Sequence, residues 1–78
     1  MFIPDHARGE MEQSGISEEE VRTCLEYGES IIKQLVKGEM RYGKEMAFKD
    51  KKIIVIYTYR DNEERVVTVY PVRRKKQW

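Results

Sequence analysis

Seventy-eight residues, 40% hydrophobic and 37% charged, make one small folded domain, too apolar for disorder and without any apolar run near the roughly 20 residues of a membrane span. Cys24 has no second cysteine to pair with, and the opening MFIPDHARGE lacks the basic-then-apolar order of a signal peptide, so a reducing, cytoplasmic setting with no membrane partner is expected. The net charge of +1 hides an asymmetry: residues 1–36 carry three basic side chains against eight acidic ones (−5), residues 37–78 twelve against six (+6). A basic half of this kind meets nucleic acid, or the acidic half of another copy.

In chain order, Pro4-Asp5 opens a helix over about 5–14, with Asp5 as N-cap and Ala7 and Met11 on the buried side. Gly15 ends it, because glycine adopts the left-handed conformation cheaply. Ser17-Glu18-Glu19-Glu20 is a capping box that starts a second helix over about 18–27. Ile16 and Val21 form a hydrophobic staple across that cap, and Val21, Cys24, Leu25 and Gly28 fall on one stripe, with Gly28 closing the helix. Residues 30–36 (Ile31, Ile32, Leu35, Val36) suit a helical turn or a short strand, and the glycine before them favours the strand. Three β-rich runs follow, at about 40–48, 52–60 and 65–73, separated by Lys49–Lys52 and Asp61–Glu64 turn chemistry, with a basic tail over 74–78. Connections this short force antiparallel neighbours. The fold expected is therefore α+β: two N-terminal helices packed on a three- to four-stranded antiparallel sheet.

Alternation with even loops puts Tyr42, Lys44, Met46, Phe48, Ile53, Val55, Tyr57, Tyr59, Val66, Thr68, Tyr70 and Val72 beneath the helices. The opposite face receives Arg41, Gly43, Glu45, Ala47, Ile54, Ile56, Thr58, Arg60, Arg65, Val67, Val69 and Arg73; one bulge, for example at Gly43, exchanges part of the two sets. The open face thus gathers arginines at one end and four aliphatics, Ile54, Ile56, Val67 and Val69, in the middle.

The segment from His6 to Ile16, followed by SEEEV, resembles an uncharacterised prokaryotic family with the pattern HAxxRMxxRGIxxxxV, and Val66-Val67-Thr68-Val69-Tyr70 matches its closing vvTvY strand. That family is similar to RelE- and BrnT-type toxins, helices followed by an antiparallel sheet. The resemblance implies RNA as a substrate or ligand, metal-free endoribonuclease chemistry without a cofactor, and an antitoxin-like protein as partner. Glu10 and Ser14 stand where the pattern has arginine.

Such cleavage needs an acid and a base around the 2′-hydroxyl and the leaving oxygen, with positive charge on the phosphorane. His6, the one histidine, supplies the acid or base, and Arg8 and Arg41 the charge. Arg60, Arg65, Arg73 and Arg74 would hold phosphates, the last two adding salt-sensitive affinity. Each residue also has a plain structural reading: His6 in a first helical turn, arginines keeping a sheet soluble beside Glu45, Glu63 or Glu64, and a frayed basic terminus. Tyr42, Tyr57, Tyr59 and Tyr70 are ordinary strand aromatics or a platform for stacked bases. Cys24 is a core residue, and no spacing suits a metal. Two functions follow: an RNA-binding or RNA-cleaving domain, or a non-catalytic module that self-associates as a homodimer through Ile54, Ile56, Val67 and Val69.

Overall fold

In a computed structural model, which describes residues 1–72, two helices precede a four-stranded antiparallel sheet in the order β1-β2-β3-β4. Helix α1 spans Asp5–Ser14 and α2 Glu18–Tyr27; the strands are β1 Glu29–Val36, β2 Glu39–Ala47, β3 Lys52–Arg60 and β4 Glu63–Val72. The fold is α+β, and the ambiguous segment after α2 is strand β1, an edge of the sheet.

Local chemistry explains most boundaries. Pro4, with extended backbone, is the N-cap of α1, and no side chain caps that helix; Asp5 is its first residue rather than its cap, and acts there only on the positive end of the helix dipole. Gly15 ends α1 at φ 68°, and the amide of Ile16 reaches back to Met11 O at 2.9 Å. Ser17 and Glu20 form the reciprocal capping box of α2, at 3.1 and 2.9 Å. Glu20 also pairs with Lys51 at 3.0 Å, tying the cap to the β2–β3 turn.

The Ser17 backbone N–H, aided by Lys51, holds the Glu20 carboxyl below its ordinary value of 4.5 against partial burial. A lowered carboxyl stabilises the fold above its unfolded-state value and ceases to as pH falls through the folded one. The thermal midpoint is therefore expected to drop as pH falls below about 4.5, more shallowly in Glu20→Gln, as circular dichroism melts across acid pH will register.

Two hairpins are tighter than the composition suggests. Lys37 and Gly38 (φ 50° and 79°) form the two-residue β1–β2 turn, and Asp61 and Asn62 (φ 54° and 63°) the β3–β4 turn. β4 accordingly begins at Glu63, inside what reads as a four-residue turn.

Register decides the faces. Tyr42 pairs with Tyr57, Met46 with Ile53, and Tyr57 with Val66, as even loops require. Between Ile56 and Tyr57 the β3–β4 ladder slips by one, because Val67 is an extra residue in β4. Beyond that bulge every side chain of β4 changes face. Val69, expected in the open, is 1% exposed in the core beside Val55, whereas Tyr70 and Val72, expected beneath the helices, lie on the open side opposite Ile54 and Lys52. A second bulge, at Ile31 of β1, faces Gly43.

The core lies between helices and sheet: Ala7, Met11, Val21, Cys24 and Leu25 against Ile53, Val55, Tyr57, Val66 and Val69. Helix α1 packs on β4 and α2 on β2 and β3, so β1 stands outside the helical layer. No helix among the described residues is long and apolar enough to cross a membrane.

Candidate nucleic-acid interface

The outer edge of β4 must be accounted for first, since it receives His6. An edge strand leaves every second backbone N–H and C=O without a partner. Here Phe2 lies parallel to β4, its amide donating to Glu64 O at 2.8 Å and its carbonyl accepting from Val66 N at 2.9 Å. In the first turn of α1, His6 Nε2 donates to the carbonyl of the bulged Val67 at 2.8 Å. One turn further, Glu10 Oε1 accepts from Thr68 Oγ1 at 2.8 Å and from Val69 N at 3.3 Å. The chain start and one face of α1 therefore close this edge from Glu64 to Val69. Glu10 is the group that satisfies the Val69 amide.

The three residues expected to share catalysis sit apart. His6 is outside β4, Arg8 pairs with Glu18 at 3.0 Å in the helical layer, and Arg41 is on β2, with β3 and β4 between it and His6. Neighbouring strands lie about 4.8 Å apart, which puts the β2 backbone roughly 10 Å from that of β4.

Arg41, Arg60 and Arg65, by contrast, share the face that the helices leave bare, toward one end of the sheet. Gln34 of β1 pairs with Arg41, and Thr58 of β3 with Arg65; because Tyr42 pairs with Tyr57, the alternation sets Arg41 beside Thr58. A row Gln34–Arg41–Thr58–Arg65 thus crosses all four strands. Thr58 is 2% exposed and its hydroxyl donates to Met40 O at 2.7 Å, which makes it the floor between the two arginines.

The guanidinium groups differ in how far they are committed. Arg60 is held by Glu39 at 3.0 Å, and that pairing, with Arg41 nearby, keeps the Glu39 carboxyl below the usual carboxylate range. Arg41 stands 3.6 Å from Glu39, beyond hydrogen-bond distance, and its Nε is buried without a hydrogen-bond partner. Arg65 lies over the Phe2 ring, 4.5 Å from the centroid, and among the described residues no carboxylate forms an ion pair with it.

Elsewhere on this face Lys52 pairs with Glu45, and Glu29, Glu39, Glu45 and Glu63 match Arg41, Lys52, Arg60 and Arg65 in number. The basic excess of the sheet half is thus not spread over the open face. Arg73 and Arg74, also expected on phosphate, lie outside the described residues.

Of the four interface aliphatics, Ile54 and Ile56 are half-buried on the open face, Val67 is the bulge held by His6, and Val69 is core. The apolar patch expected from alternation is halved, because the bulge turns Val69 inward. Ile32 and Ile56 close over Gly43, where a Cβ would stand 2.9 Å from Ile32 Cβ.

The tyrosines divide between the faces. Tyr42, Tyr57 and Tyr59 form a cluster on the helix side with centroids 5.5–5.9 Å apart, and Tyr70 lies on the open side. Lys44 donates to Leu25 O at 2.6 Å, the free carbonyl end of α2, and lies 5.9 Å from the centre of the Tyr57 ring. Burial raises the Tyr57 phenol and pushes the Cys24 thiol up to about 11, so neither ionises at neutral pH. No group of three His, Cys, Asp or Glu among the described residues is arranged to hold a metal ion.

Three participants were not read from the sequence. Glu39 was legible in principle, lying two positions from Arg41 and hence on the same face. Phe2 and Thr58 were not, since neither reveals its partner without the register. No curated protein and no solved structure matches this chain. A family model does match, over residues 3–71, and the chain accordingly belongs to the family described as Domain of unknown function (DUF4258).

Proposed function

We propose that this domain binds single-stranded RNA through phosphate contacts on the open face of a RelE-like sheet, with Arg41 and Arg65 as the principal groups and Arg60 as a third. The observation that carries the reading is the pair of guanidinium groups flanking Thr58, Arg41 held only by a long 3.6 Å ion pair to Glu39 and Arg65 stacked on Phe2 with no carboxylate partner among the described residues. A phosphate above Thr58 takes a charge-assisted hydrogen bond from the guanidinium group on each side. The order of two helices before an antiparallel sheet, and the resemblance of the His6–Ile16 segment, support the RelE-like assignment. Binding is favoured over cleavage because His6 and Arg8 are engaged with Val67 O and Glu18.

The test is fluorescence anisotropy with a labelled, unstructured RNA of about 12 nucleotides at several salt concentrations. Affinity is expected to fall with salt, and Arg41→Ala with Arg65→Ala to weaken binding about tenfold and flatten the salt slope by about 1–2. Glu39→Gln releases Arg60 and is expected to tighten binding, since its carboxylate occupies the place of a phosphate oxygen. Affinity indifferent to salt, or unchanged without both arginines, overturns the proposal. Incubation of the same RNA in EDTA, with and without His6→Ala, reads the cleavage alternative: RNA cut by the parent protein but not by the variant would restore His6 to a catalytic role.

A further inference from the structure

The two edges of the sheet are treated differently. Phe2, His6 and Glu10 close the β4 edge, while the outer edge of the eight-residue strand β1 pairs with nothing among the described residues. β1 carries no proline, and its bulge at Ile31 leaves Ile32–Val36 regular, with Lys33 as its one charge there. The large exposed apolar side chains of this side of the molecule collect on it: Leu35 at 64% and Ile31 at 40%, with Tyr27 at 71% where α2 runs into the strand.

We propose that β1 pairs antiparallel with β1 of a second copy, about a two-fold axis through Gln34, joining two four-stranded sheets into one. The occupant is argued from self-complementarity. An axis perpendicular to the sheet keeps open face with open face, so side chains that meet must already share a face. Centred on Gln34, the ladder sets Ile32 against the second copy's Val36 on the open face and Lys33 against its Leu35 on the other, where the lysine stem covers the leucine. An axis at Lys33 would oppose two ammonium groups, and one at Ile32 would run the ladder into the bulge at Ile31.

The same axis has a consequence for the RNA face, and in this respect the inference rests on the RNA-binding reading. Gln34 ends the row that contains Arg41, Thr58 and Arg65. Pairing about Gln34 joins two such rows end to end on one open face, with the two Arg41 side chains about three strand spacings, roughly 14 Å, apart. The dimer then presents two phosphate grips in line, where one copy presents one.

Two paired edges of this length bury less than a standard interface of about 1,600 Å², so weak association is expected. Sedimentation velocity on the full chain without RNA, from about 1 to 500 µM, is the test. The parent protein is expected to pass from monomer to dimer across that range. Gln34 is exposed, so its replacement leaves the monomer's fold intact, as circular dichroism melts verify. Gln34→Lys and Gln34→Glu each oppose like charges across the axis and are expected to weaken association at least about tenfold, whereas an equimolar mixture of the two recovers it. A parent protein that stays monomeric, association indifferent to both variants, or a mixture that fails to associate overturns the proposal. A parent protein that stays monomeric yet binds RNA refutes only this pairing, and a dimer that ignores RNA refutes only the phosphate reading.

Discussion

Gly28→Val is expected to remove a large part of the domain's stability, although Gly28 has an unexceptional backbone at φ −68°. The requirement is one of space. A Cβ at this position would overlap Cys24 O and stand 2.9 Å from Glu45 O, both backbone atoms of elements packed against each other. Neither can move without separating the end of α2 from β2. The chain passes from Tyr27, the last residue of α2, to Glu29, the first of β1, with Gly28 alone between them, so no linker absorbs the displacement. Overpacking typically costs about 1–3 kcal/mol, and the upper end is expected against backbone that cannot yield, out of a total stability of roughly 4–10 kcal/mol for a domain of this length. Gly9→Ala is the contrast: nothing lies within 4 Å of the added methyl, and the change removes a helix-interior glycine, so about 0.5–1 kcal/mol of stabilisation is expected. Urea titrations followed by circular dichroism measure both. A Gly28→Val protein with the parent's midpoint would mean that α2 and β2 do not approach as closely as described.

Val69→Asp and Tyr70→Asp are expected to differ by several kcal/mol, although simple alternation from Val66 exchanges their places. Val69 is 1% exposed among Val55 and the helix side chains, and a carboxylate there would be buried without a partner. The cost exceeds about 4 kcal/mol and unfolds the domain at 25 °C. Tyr70, 41% exposed on the open face, accepts the same change for less than about 1 kcal/mol. Thermal melts of the two variants report directly on the Val67 bulge: if Tyr70→Asp unfolds the protein and Val69→Asp does not, the ladder has no extra residue in β4.

That bulge separates what was legible in the amino-acid order from what was not. The second helix could be read to its ends, because a capping box and a stripe of Val21, Cys24 and Leu25 are local and redundant. The first could be bounded by Gly15, though its N-cap is Pro4 and not the more conventional Asp5. Strand β1 was ambiguous, since Ile31, Ile32, Leu35 and Val36 fit two periods equally, and it became a strand by pairing with β2. Arg41, Arg60 and Arg65 could be gathered on one face from alternation, because all three precede the slip in the ladder.

Chain order and period were sufficient, then, for the α+β architecture, the acidic-helix and basic-sheet division, and the arginine end of the bare face. Those properties depend on residues a few positions apart. The faces of Val69 and Tyr70, the closing of one edge by Phe2, His6 and Glu10, and the pairing of Glu39 with Arg60 depended on the assembled sheet. Each joins groups about twenty to more than sixty positions apart in the chain. A one-residue insertion in a strand leaves no mark in composition or period, yet it reverses every side chain that follows.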